Sequence, residues 1–233
     1  MAELLQDSIY FGVAISLFAY WIGVKCKEKW NFPLMNPLLI SMVLIILFLW
    51  ITKIPFETYS NGAKYITYFL TPATVCFAVP LYRQLQALKE NMGAVLAGIL
   101  CGSLAHGLIV MGMGIWFVLP EELICSILPK SVTTAIALGV SEEIGGIAAV
   151  TVVGVTIAGL SGNILGPVLL KWFKIEEPEA QGLALGTASH AIGTSKAVEL
   201  GEIQGAMSSL AIVVTGILTV VLAPWMASVL ATL

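Results

Sequence analysis

Of the 233 residues, 58% are hydrophobic and 11% charged, the mean hydropathy is +0.96 and the formal net charge is −3. A soluble domain carries roughly 25% charged residues to keep its surface wetted, so this composition excludes a soluble domain of any size. No basic, aromatic-rich stripe points to nucleic acid, and no phosphate-binding loop points to ATP-driven pumping.

About 20 apolar residues cross the hydrocarbon core as a helix, and stretches of that kind lie near 8–24, 34–52, 65–82, 92–119, 144–170 and 205–233. Two shorter, more polar segments, 128–141 and 182–198, sit between them. Backbone groups in lipid must pair within the segment, and the runs lack the dyad alternation of a barrel. The expected architecture is therefore an all-α polytopic integral membrane protein of six to eight transmembrane or re-entrant helices. It is read as a single transmembrane domain over 1–233, with room for two structural repeats, 8–119 and 127–233, containing interrupted helices.

The N-terminus, with Glu3 and Asp7 in place of a basic region, does not read as a cleavable signal. Lys25, Lys27 and Lys29 follow the first apolar run and place it with its start outside. Arg83 and Lys89 belong inside by the same rule, the 119–126 loop with Glu121 and Glu122 outside, and Lys171 and Lys174 inside.

Cys26, Cys76, Cys101 and Cys125 show no metal-ligand spacing and read as packing. No metal or cofactor is implied. Residues 70–101 laid over 185–216 pair Leu70 with Leu185, Ala73 with Ala188, Leu85 with Leu200 and Met92 with Met207, and share a pattern of interrupted segment, polar turn and long apolar helix. Gly98–Gly102, Gly162–Gly166, Gly182–Gly186 and Gly201–Gly205 are GxxxG pairs, which let helix backbones approach in lipid. Close packing inside one bundle is the preferred reading, with a homo-oligomer as the other.

Three regions interrupt the apolar pattern. The first runs from Leu70-Thr71-Pro72-Ala73-Thr74 to Pro80, where two prolines predict a kinked or discontinuous helix. The second is Leu128 to Thr134, leading to Gly145-Gly146; Pro129 followed by Ser131, Thr133 and Thr134 reads as a helix start. Helix N-termini attract anions, and Lys130 adds a positive charge. The third, Gly186 to Lys196, carries Thr187, Ser189, His190, Gly193, Thr194, Ser195 and Lys196, and is too polar to face lipid. Short or Gly/Pro-interrupted segments point to a transporter's binding site, and ionisable groups at membrane depth to function.

Blander readings stand beside these. The prolines could only kink a helix, Lys130 could snorkel to an interface, and His190 could bridge two helices. His106 sits alone in an apolar Gly-rich helix and reads as packing. Glu142 and Glu143 read as a loop end, and Glu199 and Glu202 as helix termini.

The strings NPLL at 36–39, LPKSVTTAIA at 128–137, EIGGI at 143–147 and GTASHAIGTSKAVEL at 186–200 resemble the LrgB/CidB family of bacterial antiholin-like membrane proteins, related to the plastid glycolate/glycerate translocator. The resemblance implies a multi-pass protein of the bacterial cell membrane, and two functions. One is regulation of murein hydrolase activity and lysis beside a small holin-like LrgA/CidA-type partner. The other is transport of small monocarboxylates such as pyruvate, glycolate or glycerate.

The residues favour a secondary, proton-coupled carrier of small organic anions working by alternating access. Lys130 would neutralise the carboxylate, with Ser131, Thr133, Thr134, Thr187, Ser189, His190 and Thr194 around it. His190, with a reference pKa of about 6.5, would couple the proton, with sodium ligated by carbonyls exposed at a helix break as the alternative. Pro72, Pro80, Pro129, Gly145, Gly146, Gly186 and Gly193 would break the helices. An intramembrane enzyme is disfavoured, because Ser189 and His190 on a helix would point about 100° apart.

Overall fold

A computed structural model describes residues 9–30, 35–69, 72, 75, 76, 78–83, 89 and 92–232. Among them every regular element is helical. The chain divides after Cys76 into two compact units.

The first unit holds α1 (Ile9–Lys29), α2 (Pro37–Thr52) and α3 (Phe56–Thr67), with α1 packed on both of the others. The NPLL string is a helix start. Asn36 Oδ1 accepts from the backbone N–H of Leu38 at 2.8 Å and of Leu39 at 3.3 Å, two donors left open at a helix N-terminus, and Pro37 sits where no N–H is needed. Helix α2 ends where Lys53 turns left-handed, at φ 54°. Gly12 lets α1 touch α3, since a Cβ there would collide with the Ala63 N and Tyr59 O atoms. One turn on, the Ser16 hydroxyl donates to Gly12 O at 2.7 Å and lies 2.9 Å from the Tyr59 hydroxyl.

The second unit holds α4 (Ala78–Arg83), α5 (Met92–Trp116), α6 (Glu121–Ile127), α7 (Thr134–Glu143), α8 (Ala148–Trp172), α9 (Pro178–Leu200) and α10 (Glu202–Leu230). Three helices, α5, α8 and α10, are long and apolar enough to cross a membrane. Their outward faces carry Leu108, Ile157 and Ile217, each about 60% exposed, as lipid-facing surfaces require. Helix α9, 23 residues long, has the length of a span, but its hydroxyl- and charge-bearing sequence keeps it from counting as an apolar one. With its neighbours it forms a polytopic helical membrane protein.

Helix α9 packs on α10, α8 and α5. Lipid tails are as apolar as leucine, so close contact between small residues holds such helices together. The GxxxG pairs are spent on that contact. Gly102 lies against Thr187, Gly166 against Leu185, and Gly182 and Gly186 against the α10 backbone at Gln204 and Ser208. Val95 and Ile99 of α5 close a core with Met207 and Ala211 of α10, and Met111, Leu128, Val140, Ala223 and Met226 form another.

The structure changes two expectations about this unit. The 119–126 loop is largely helix α6, whose Ile124, Cys125 and Ser126 are buried, because its first-turn acids Glu121 and Glu122 suit a helix N-terminus. Pro129 does not start a helix. It follows the end of α6, where Leu128 N–H still reaches Ile124 O, and the proline, having no N–H, stops that ladder. Residues 128–133 turn, and α7 begins at Thr134. Of the expected break between Leu70 and Pro80, Leu70, Thr71, Ala73 and Thr74 lie outside the described residues; Pro72 and Pro80 are both in helical conformation.

Gly145, at φ 79°, makes the tight turn between α7 and α8. Gly146 N–H donates to Ser141 O at 2.7 Å, and a Cβ on Gly146 would collide with the Ser141 hydroxyl. Buried hydroxyls brace this turn: Ser126 Oγ accepts from Ile147 N–H at 2.7 Å, and Ser141 Oγ lies 2.7 Å from Thr151 Oγ1.

Candidate functional site

Helix α9 is broken within its third region. Ser189 (φ −138°, ψ 18°) and His190 (φ 42°, ψ −138°) leave helical geometry, so α9 is two half-helices meeting at this pair. A non-glycine residue at positive φ costs on the order of 1–3 kcal/mol and persists only where its surroundings over-determine it. Here they do. His190 Nε2 donates to Val155 O on α8 at 3.1 Å, and Thr194 Oγ1 donates to His190 O at 2.9 Å and lies 2.7 Å from Ser208 Oγ on α10. Asn163 Nδ2 of α8 donates to Ile192 O at 3.0 Å. Carbonyls released by a break in lipid need such donors.

Gly159 and Gly162 give the break room on α8: a Cβ at Gly159 would lie 2.9 Å from the His190 imidazole, and one at Gly162 would collide with Ser189 Oγ. Ser189 and His190 are therefore not helix neighbours about 100° apart. One side chain turns toward Gly162 and the other toward Val155, so the pair still forms no nucleophile and base. Replacing Asn163 with leucine is expected to lower stability by about 0.5–1.5 kcal/mol, the net contribution of one hydrogen bond, because Ile192 O keeps the Ser195 hydroxyl as a donor at 2.7 Å. Unfolding titration in detergent reads this, and unchanged stability would mean that the Ser195 hydroxyl alone satisfies Ile192 O.

Lys130 lies in the turn after α6, its N–H donating to Ile127 O at 3.0 Å while Val132 N–H donates to Pro129 O at 3.3 Å. Pro129 is fully buried and pins the turn; Lys130 Cβ would rest 3.7 Å from a Cβ at Gly154 on α8. The half-buried ammonium donates to His106 Nδ1 of α5 at 3.4 Å, and His106 Nε2 donates to Leu128 O at 2.9 Å. The described ion pairs are Lys25–Glu28, Arg83–Glu202 and Lys196–Glu199. Lys130 belongs to none of them. Lys196 is neutralised by Glu199 at 2.7 Å, so of the two lysines in the interrupted regions Lys130 is the one with charge to offer an anion.

Two cavities, of about 740 Å³ and about 760 Å³, share Lys130, Ala184 and Ala188. The first is lined also by His106, Ser131, Thr187, Glu177 and Glu179. The second is apolar apart from Lys130, Ser161 and Ser189, running along Gly154, Ile157, Leu165 and Leu169 of α8. Of the residues singled out in the sequence, Lys130, Ser131 and Thr187 thus meet in one cavity, and Lys130 and Ser189 in the other. Thr133, Thr134, His190 and Thr194 line neither. Thr134 is exposed at the start of α7, while His190 and Thr194 are buried and hold the break.

His106 is the residue that reads as packing in the sequence and stands on the cavity wall in the structure. It does not sit alone, and a signal for it existed: Ala94, Gly98, Gly102 and His106 recur every fourth residue, one stripe of α5, and all four line the first cavity. Glu177 and Glu179, just before and within the first turn of α9, carried no signal in the sequence analysis and line the same cavity.

A broken helix, a turn whose lysine has no carboxylate partner among the described residues, and paired cavities on a lipid-facing bundle define a polytopic membrane protein with a polar site in its interior. The chain belongs to the LrgB-like family, whose model matches residues 16–229. Relatives called "Antiholin-like protein LrgB" from Bacillus cereus (strain B4264) and Bacillus anthracis (strain A0248) are each 43% identical over 216 residues, covering 92% of this chain and 94% of theirs. No solved structure matches.

Proposed function

We propose that the protein carries small monocarboxylates across the bacterial cell membrane, with Lys130 as the group that receives the carboxylate. The observation that carries this reading is the position of Lys130 between two cavities, with no carboxylate paired to it among the described residues. An intramembrane charge is costly to keep, and its retention beside a cavity suits an anionic ligand. Ser131 and Thr187 offer hydroxyls to the same ligand from the first cavity, and Ser189 from the second. Alternating access would then consist of opening one cavity while closing the other around the shared Lys130, Ala184 and Ala188.

The relatives' name, antiholin-like, favours the other reading that the resemblance implies, a regulator of murein hydrolase activity acting with a holin-like partner. On the comparisons alone that reading has more support than transport. Such a regulator does not require an anion site, which is what separates the two experimentally. Purified protein in proteoliposomes is expected to take up labelled pyruvate, glycolate or glycerate saturably, with competition among the three and acceleration by an inward proton gradient. Absence of uptake, both alone and with the holin-like partner added, together with tight co-purification of that partner, would favour the regulator.

A further inference from the structure

We propose that His106 is the positioning residue for Lys130 and the atom-level entry point of a proton into the site, an inference that rests on the anion-carrier reading above. The geometry sets the tautomer. Leu128 O can only accept, so the hydrogen bond at 2.9 Å requires the hydrogen on His106 Nε2. Nδ1 is then left with its lone pair, and the Lys130 ammonium donates to it at 3.4 Å. This bond holds the ammonium at the wall of the first cavity, where Ser131 and Thr187 also stand.

A proton arriving from water in that cavity has one open place on the imidazole, Nδ1. When Nδ1 binds it, the nitrogen becomes a donor and can no longer accept from Lys130, and two positive charges face each other across the former hydrogen bond. Lys130 keeps all its protons and is released toward the cavity. A monocarboxylate entering at that point balances the added proton charge for charge. The chemistry therefore assigns one proton to each monocarboxylate and an electroneutral passage.

His190 is placed differently. It lines neither cavity, and its Nε2 is committed to Val155 O in support of the break. Among the described residues, the other titratable groups on the elements packed against α5 are Glu177 and Glu179 on the cavity wall; Glu121, Glu122 and Cys125 of α6; Lys196 and Glu199 of α9, paired with each other; and Glu202 of α10, paired with Arg83. Among the described hydrogen bonds, the imidazole of His106 is held by Lys130 and Leu128.

The chain has 2 histidines, so ¹⁵N-histidine labelling in lipid nanodiscs gives two sets of ring signals, assigned with His106→Asn. The expected His106 spectrum shows a protonated Nε2 and a bare Nδ1 whose resonance moves on Lys130→Met, and added pyruvate protonates Nδ1 at fixed pH. His106→Asn puts an amide oxygen near the place of Nδ1, preserving an acceptor that cannot titrate. Its pyruvate binding is expected to stay near the unsubstituted protein's at about pH 8 but to lose the increase seen at the lower pH where the imidazole takes up its proton. His106→Leu, lacking the acceptor, is expected to bind about tenfold or more weakly at both, as loss of one partner of a buried charge-assisted bond does.

A hydrogen on Nδ1, an Nδ1 signal indifferent to Lys130→Met, or an unaltered pH response in His106→Asn would overturn the proposal. If the Lys130-dependent signal is present but no monocarboxylate moves it, the anion-carrier reading is what fails, and the proton-entry role falls with it.

Discussion

Lys130→Met is expected to abolish measurable pyruvate binding while leaving the protein folded. Removing one member of a desolvated, hydrogen-bonded charge pair costs about 2–5 kcal/mol, which corresponds to a loss of roughly 30-fold to several thousandfold in affinity. The stability effect runs the other way. Methionine keeps most of the stem that packs at Gly154 on α8 and removes a half-buried charge that no described carboxylate neutralises. Replacing a buried ion by a well-packed apolar side chain is often neutral or stabilising. Unfolding at equal or higher denaturant, with binding gone, is therefore the predicted pair of results. Lys130→Arg is expected to fail as a rescue, since a rigid planar fork cannot place one donor at His106 Nδ1 as a compact ammonium does. Calorimetric titration of pyruvate into the two purified variants measures binding, and denaturant titration measures their stability; near-normal binding by Lys130→Met would remove Lys130 from the site and leave the regulator reading ahead.

The parts of this site legible in the sequence were those whose signal is local. An apolar run of the right length announces a spanning helix, and α5, α8 and α10 fall where such runs lie. Gly186 to Lys196 was too polar and too rich in glycine for lipid, and a break falls inside it, at Ser189 and His190 and not at the expected Gly186 and Gly193. Asn36-Pro37 likewise caps a helix by rules that act over a few residues. What escaped depends on which helix lies beside which. Pro129 follows the same local rule whether it opens a helix or ends one, and the buried face of α6, at Ile124 and Ser126, decides the matter. His106 acquires its importance from Lys130 and Leu128, more than twenty residues away along the chain. Thr194 looked like a ligand for substrate because it carries a hydroxyl; Ser208 of α10 and the His190 carbonyl occupy that hydroxyl instead.

The contact between α9 and α10 offers the second large effect. Gly186→Ala would place a Cβ 2.5 Å from Ser208 O, 2.8 Å from Ser208 Cα and 2.8 Å from Ala211 Cβ. Two of those atoms are backbone, so no rotamer change relieves the clash, and the helices must separate. Overpacking of this kind costs typically about 1–3 kcal/mol, and the upper end is expected here. Separation would also stretch the 2.7 Å contact between Thr194 and Ser208, loosening the segment that keeps His190 at positive φ. Binding should then fall together with stability, although Gly186 itself lines neither cavity. Gly112→Ala is the control: nothing lies within 4 Å of its Cβ, and a glycine in the middle of a helix is less stable than alanine there by roughly 0.5–1 kcal/mol. The two single-methyl additions should therefore move the unfolding midpoint in opposite directions, and a Gly186→Ala protein as stable as Gly112→Ala would show that α9 and α10 are not pressed together at this point.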